Sequence, residues 1–142
     1  LYCVKHKYAP GDGVKMDGRK QQDYRRKNWS SLMLFNCSHK LNKKLTPELV
    51  NTETGGYLHG FEWLPDKDSD IGSIHEEWNW LDNHSPEDMD AKNVHFTTGG
   101  PWFKDWKCGR TIDGKYAAEW NGDYTYLAGR GKIKPMDMYN EV

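Results

Sequence analysis

One short segment combines a histidine with two glycines in an arrangement that suits a bound metal and phosphate. It reads Asn-Val-His-Phe-Thr-Thr-Gly-Gly-Pro-Trp over residues 93–102. Apolar residues flank His95, so a strand here would direct the imidazole to the opposite face. A neutral imidazole is a good ligand for Mn²⁺ or Zn²⁺, and the amides of Gly99 and Gly100 can approach an anion closely. The alternative is an ordinary packed or surface histidine.

The acidic stretch 66–77 is a second candidate site. Ile71 stands where the sharp turn of an EF-hand loop needs glycine, and Pro65 interrupts the segment before it. A solvated turn is therefore expected, with a Ca²⁺ loop as the lesser alternative. The carboxylates with EF-hand spacing are Asp66, Asp68, Asp70 and Glu77.

Three segments of β type would position these residues. Residues 1–8 predict a strand, and residues 92–98 predict a short one. The continuous apolar run within 28–37 predicts a strand buried on both faces.

Helix signals alternate with those strands. Thr46 followed by Pro47 predicts a short helix that stops before Gly55, with a further helical turn after it. Residues 115–129 contain helix formers, which Gly122 weakens. We therefore expect an α/β fold with a mixed sheet and short helices.

Composition narrows the class of protein. The 142 residues fit one domain, and 20 basic against 21 acidic side chains give no electrostatic case for nucleic acid or an anionic membrane. No apolar run reaches the length of about 18 residues that a membrane span needs. The basic stretch 19–29 is expected to be a solvated loop. Three widely spaced cysteines form no metal or disulfide pattern, which favours a reducing, cytoplasmic location.

Several motifs together resemble family 8 glycosyltransferases and their relatives with the GT-A fold. The segment VHFTTGGPW is similar to the closing motif of that family, His-Phe-x-Gly, two residues, then Lys-Pro-Trp. SSLMLFNC resembles the strand with a Phe-Asn pair beside the donor, and HEEWNWL resembles the segment that precedes the final motif. The resemblance covers about residues 1–105 and implies a partial GT-A fold that transfers sugar from a nucleotide-sugar.

The resemblance also implies roles for individual residues. His95 would ligate a divalent metal, with Mn²⁺ as the expected ion. Glu53 would stand in for the catalytic acidic residue, and Trp102 and Trp78 would stack on the sugar acceptor. Trp29 and Trp80 are further stacking candidates, with a place in the core as the alternative for all four rings. The implied donor and phosphate contacts are Gly99, Gly100, Lys104, Asn36 and Ser31, with Ser30 as the alternative to Ser31.

The sequence departs from the family pattern at three places, and these departures change which residues are expected to fill the family's roles. The final motif is one residue shorter and lacks its Lys, which Lys104 would replace. The family's Asp-Gln-Asp segment is replaced by NTETGGY, so Glu53 is only a substitute. The metal-binding Asp-x-Asp is expected upstream of Leu1, and the acidic stretch 66–77 does not follow a buried strand as that motif would.

These departures lead us to expect that residues 1–142 are a single domain or half-domain, the C-terminal part of a transferase. The implied partners are a UDP-sugar, an unknown acceptor, and either a missing N-terminal half or a second copy of the chain. A non-catalytic carbohydrate-binding or structural protein is the alternative. On either interpretation the isolated chain is expected to be inactive or weakly active.

Overall fold

A computed structural model describes residues 1–7, 13–15, 17–65, 68–103 and 115–132. The described part is a mixture of short strands, short helices and turns. The strands are β1 (Tyr2–Cys3), β2 (Met33–Leu34), β3 (Gly72–Ser73), β4 (Trp80–Leu81) and β5 (Val94–His95). The helices are α1 (Pro47–Thr52), α2 (Gly55–His59) and α3 (Ala117–Gly129), joined by 3-10 turns at Trp29–Ser31, Lys40–Lys44, Asp68–Asp70 and Glu76–Asn79.

Strands β1, β2 and β3 form one mixed sheet in the order β2-β1-β3. β1 pairs antiparallel with β2 and parallel with β3. The mixed α/β character expected from the sequence is therefore confirmed. The prediction of a doubly buried strand within 28–37 is wrong, because β2 lies at an edge of the sheet with Met33 41% and Leu34 61% exposed.

Helix α1 begins where the sequence predicts, whereas α2 begins at Gly55, two residues before the segment 57–64 in which a second helical turn is expected. The hydroxyl of Thr46 accepts a hydrogen bond from the amide of Leu49, and Pro47 occupies the first turn of α1. The hydroxyl of Thr54 caps α2 in the same way through the amide of Tyr57. No helix in the described part of the chain has the length and apolar character needed to cross a bilayer.

The hydrophobic core forms around β1. Its buried cluster consists of Cys3, Trp29, Phe61, Trp63 and Ile71. Burial raises the pKa of the Cys3 thiol to about 11. Trp29 therefore belongs to the core and does not offer a stacking surface.

A buried arginine ties the core loops together. The side chain of Arg26 is 2% exposed. Its Nη1 donates to the carbonyl oxygens of Gly60 at 2.7 Å and Phe61 at 3.3 Å, and its Nε donates to Asp68 Oδ1 at 3.0 Å. Lys27 and Asn28 beside it are also buried. The prediction that residues 19–29 form a solvated loop is therefore wrong at 26–28, because these polar side chains find partners inside the fold.

Strands β4 and β5 form a separate parallel pair. The twelve residues 82–93 connect them without a helix or strand of their own. Side chains from the start of α3 hold this connection: the hydroxyl of Tyr116 accepts from the amide of Ala91 at 2.7 Å. Lys115 Nζ donates to the carbonyls of Glu87 and Met89, each at 2.7 Å. The two residues that precede α3 thereby hold the loop that leads into β5.

Candidate functional site

His95 lies in the short strand that the sequence predicts over 92–98, and it is the last residue of the shorter strand β5. It lies opposite Leu81 in the ladder, and the amide of Asp82 donates to its carbonyl oxygen at 3.1 Å. The residue is half-buried. Its Nδ1 is buried and has no hydrogen-bond partner among the described residues.

The surroundings of His95 keep its ring neutral. Burial lowers the pKa of His95 to about 4, and the positive charges of Lys15 and Lys27, with that of His6 when it is protonated, act in the same direction. A ring with this pKa carries no charge at neutral pH. It can therefore donate a nitrogen lone pair, while the nearby cationic groups favour an anion at the same place.

Lys27 is the more enclosed of the two lysines. Its Nζ donates to the carbonyl of Gln22 at 2.7 Å and lies 4.4 Å from the centre of the Tyr24 ring. Burial lowers the pKa of Lys27, with the charge of Lys15 contributing. The side chain is thus fixed in position rather than freely mobile in solvent.

A network of amides and hydroxyls holds the segment after β5 against residues 28–31. Asn28 Nδ2 donates to Thr97 Oγ1 at 3.0 Å. Asn79 Nδ2 donates to the Asn28 carbonyl at 3.2 Å and to Ser31 Oγ at 2.7 Å. The Ser31 hydroxyl donates back to the Asn28 carbonyl at 2.7 Å. Ser31 is therefore linked to the His95 segment, and Asn28 and Thr97 are members of the network that the sequence analysis missed.

The glycine pair after β5 has a conformation that requires glycine. Gly99 has a φ of 130°, which L side chains rarely adopt. Gly100 is buried, and a Cβ on it would lie 2.2 Å from the Trp102 ring. Trp102 in turn packs edge-on against Phe96 and lies 5.3 Å from the Trp120 ring. The ring of Trp102 is therefore half-buried in an aromatic cluster.

We expect Gly100→Ala to destabilise the fold by about 1–3 kcal/mol, because the added methyl group displaces the Trp102 ring. Gly122→Ala is the matched control, since nothing lies within 4 Å of its added Cβ in α3. That control is expected to stabilise by about 0.5–1 kcal/mol. Urea denaturation of the two variants measures both changes, and an unchanged midpoint for Gly100→Ala would contradict the packing argument.

Two further sequence-predicted residues, Glu53 and Asn36, are exposed in other segments of the chain. Glu53 is exposed at the end of α1. Asn36 is exposed, and its Oδ1 accepts from the hydroxyl of Ser38 at 2.7 Å. Within the described ranges, no hydrogen bond or ion pair links Glu53 or Asn36 to His95. The hydroxyl of Ser30 pairs with His59 Nδ1 at 2.7 Å, and Lys104 lies outside the described residues.

The tryptophans divide between core and surface. Trp80 is 1% exposed and belongs to the interior, like Trp29. Trp78 is 44% exposed, with Lys92 Nζ 5.2 Å from its ring centre. Of the four rings named by the sequence, Trp78 is the most exposed.

The described residues do not by themselves form a metal site. They contain no group of three or more histidine, cysteine, aspartate or glutamate side chains that could hold an ion. In the acidic stretch, Asp68 is paired with Arg26 and Arg25, and Glu77 is paired with Lys92 at 2.8 Å. Asp66 lies outside the described residues.

Comparison with known proteins gives a relative of greater length. The chain is 50% identical over 112 residues to Protein CDI of Arabidopsis thaliana, a match that covers 75% of this chain and 42% of that protein. The chain therefore spans less than half the length of this relative. No family model matches the chain, and no solved structure matches it.

Proposed function

We propose that this chain is part of a glycosyltransferase of GT-A type and that His95 lies where the diphosphate of a nucleotide-sugar binds. The observation that carries the proposal is a neutral, half-buried imidazole at a strand end, with one unpartnered nitrogen and with Lys15 and Lys27 in its electrostatic surroundings. The motif order His-Phe followed by Gly-Gly-Pro-Trp supports it. The substrate class proposed is a UDP-sugar.

The chemistry that this chain's residues supply is electrostatic. Negative charge develops on the diphosphate as the glycosidic bond breaks, and fixed cationic groups stabilise that charge. Lys27 is held in place by Gln22 and by the Tyr24 ring, so it is suited to this task. A divalent cation, when bound, would add Lewis-acid stabilisation of the same charge.

The metal requirement explains the level of activity that we expect. His95 is the one metal ligand that we propose within the described residues, and a single protein ligand holds Mn²⁺ weakly. Glu53, the proposed catalytic carboxylate, is exposed and not linked to His95 by any described contact. We therefore expect the chain of residues 1–142 alone to transfer sugar slowly or not at all.

The test is binding of UDP in the presence of Mn²⁺, measured by isothermal titration calorimetry on the whole chain. We expect His95→Ala to weaken this binding by at least about tenfold, equivalent to about 1.4 kcal/mol. His75→Ala is the control, because the His75 side chain is 70% exposed. Circular dichroism checks that both variants remain folded. Equal UDP affinity in wild type and His95→Ala would remove His95 from the site.

A carbohydrate-binding protein without catalysis is the second candidate. The exposed Trp78 face, with Lys92 beside it, favours this function because flat aromatic surfaces pack well against sugar rings. Such a protein would bind oligosaccharides with no need for UDP or Mn²⁺. Sugar binding that is lost in Trp78→Ala, together with no UDP binding, would select this function over the first.

A further inference from the structure

A cavity of about 580 Å³ lies on the β4 side of His6. Its polar wall comes from three segments: the residues after β1, the 3-10 turn before β4, and the loop after β4. The polar residues that line it are Lys5, His6, Lys7, Glu76, His84 and Ser85. Neither Gly99 nor Gly100 belongs to the lining, so this cavity is distinct from the glycine loop after β5.

Two lysines give the cavity a cationic rim. Lys5 Nζ donates to the Asp68 carbonyl at 2.6 Å, which leaves further N–H groups of its ammonium for a ligand. Lys7 is exposed, and no described residue forms a hydrogen bond or ion pair with its side chain. Because Glu76 is the one acidic side chain in the lining, the rim suits a ligand with an anionic group.

Glu76 is held in a fixed orientation at the wall. The hydroxyl of Ser85 donates to Glu76 Oε1, and the same hydroxyl accepts from the amide of Leu81 at 2.9 Å. His6 Nδ1 lies 3.9 Å from Glu76 Oε1, and the His6 side chain is 3% exposed. The Glu76 side chain itself is 37% exposed. A carboxylate that is held by one hydrogen bond and is partly exposed can accept further hydrogen bonds from ligand hydroxyl groups.

The rest of the lining argues against a nucleobase. Leu81 and Pro86 supply the apolar surface, and no phenylalanine, tyrosine or tryptophan is among the lining residues that the structure describes. Nucleobases are held in protein sites largely by stacking on aromatic rings. A small apolar patch beside a carboxylate instead suits the C–H face and hydroxyl groups of a sugar.

We propose that this cavity binds a small anionic polyol, that is, a sugar carrying a phosphate or carboxylate group. The anionic group lies between Lys5 and Lys7, and the hydroxyl groups face Glu76. The inference concerns binding alone and does not require that the chain transfers sugar.

The experiment is isothermal titration of the whole chain with glucose 6-phosphate and with glucuronate, alongside glucose and inorganic phosphate. We expect one or both anionic sugars to bind at least about tenfold more tightly than glucose or phosphate alone, since each of those lacks half of the contacts. Preference for glucose 6-phosphate would identify the anion as phosphate, and preference for glucuronate would identify it as carboxylate.

Matched variants locate the binding. Lys7→Glu is expected to weaken the preferred sugar by at least about tenfold through charge reversal, and Glu76→Gln is expected to weaken it less. Lys43→Glu is the control, because Lys43 is exposed on another turn and does not line the cavity. No binding by either anionic sugar, or equal losses in Lys7→Glu and Lys43→Glu, would overturn the proposal. So would phosphate binding as tightly as its sugar ester.

Discussion

Arg26→Met is expected to lower the free energy of unfolding by roughly 1–3 kcal/mol, because it leaves the buried carbonyl group of Gly60 without its donor. Arg26 Nη1 donates to the carbonyl oxygen of Gly60, which is buried, whereas the carbonyl oxygen of Phe61 also accepts from the amide of Leu64 at 2.9 Å. Phe61 also has a φ of 55°, a conformation that a bulky residue seldom adopts unless its surroundings hold it. Loss of Arg26 therefore removes hydrogen bonds and the restraint on a strained residue together.

Arg25 provides a control on the same carboxylate. Its side chain is 43% exposed, and its Nη2 lies 3.6 Å from Asp68 Oδ1. An exposed ion pair of this kind contributes about 0.2–1 kcal/mol, so we expect Arg25→Met to change stability little. Urea denaturation measures both variants. Equal losses in the two would show that Arg26 acts through the ion pair with Asp68 and not through the buried carbonyls.

The second large effect is a loss of stability in mild acid. His95 has a folded pKa of about 4 against 6.5 for an unperturbed ring, and burial also lowers the pKa of His6. Above the unfolded pKa neither state binds the proton, so pH has no effect through these rings. Between the two values the unfolded chain binds protons and the folded chain does not. Stability therefore falls as pH falls from 6.5 towards 4.

The size of this effect is at most about 3 kcal/mol for His95, reached near its folded pKa. Carboxylates titrate in the lower part of the same range, so the comparison must be made against a variant. We expect the drop in unfolding free energy to be smaller in His95→Gln than in wild type. His75→Gln, which alters an exposed ring, should follow wild type. Parallel curves for wild type and His95→Gln would contradict a buried neutral His95.

Local signals in the sequence predicted the elements that depend on near neighbours. Thr46 and Pro47 fix the start of α1 through contacts within one helical turn. Val94 and His95 form the short strand that their alternation predicts. The helix expected within 115–129 forms over Ala117–Gly129 despite Gly122. Each of these outcomes depends on residues close to one another along the chain.

Features that depend on distant partners were not accessible from the sequence. The apolar run within 28–37 has the same composition whether its strand is central or at an edge, and the edge position exposes Leu34. Arg26 is buried because the carbonyls that it binds come from residues more than thirty positions away. The sequence around a charged residue in a basic stretch does not indicate whether distant carbonyl groups will bind it.

The residues of the candidate site also divide into those that local sequence signals predicted and those that depend on distant partners. His95 and the glycine pair were identified from their types and spacing, and the structure places them together at the end of β5. Asn28 was missed because its role is to bind Thr97, 69 residues away. The cavity beside His6 was missed because its walls come from three separate segments that meet only in the folded chain.

The hydrogen bonds of Lys115 and Tyr116 to the loop 82–93 have a consequence for the order of folding. The crossover between β4 and β5 has no internal helix, and three of its backbone groups bind side chains that follow it by more than twenty residues. Closing such loops costs entropy before the parallel ladder forms. We therefore expect the histidine-bearing strand to become fixed only after the polypeptide through Tyr116 has been synthesised.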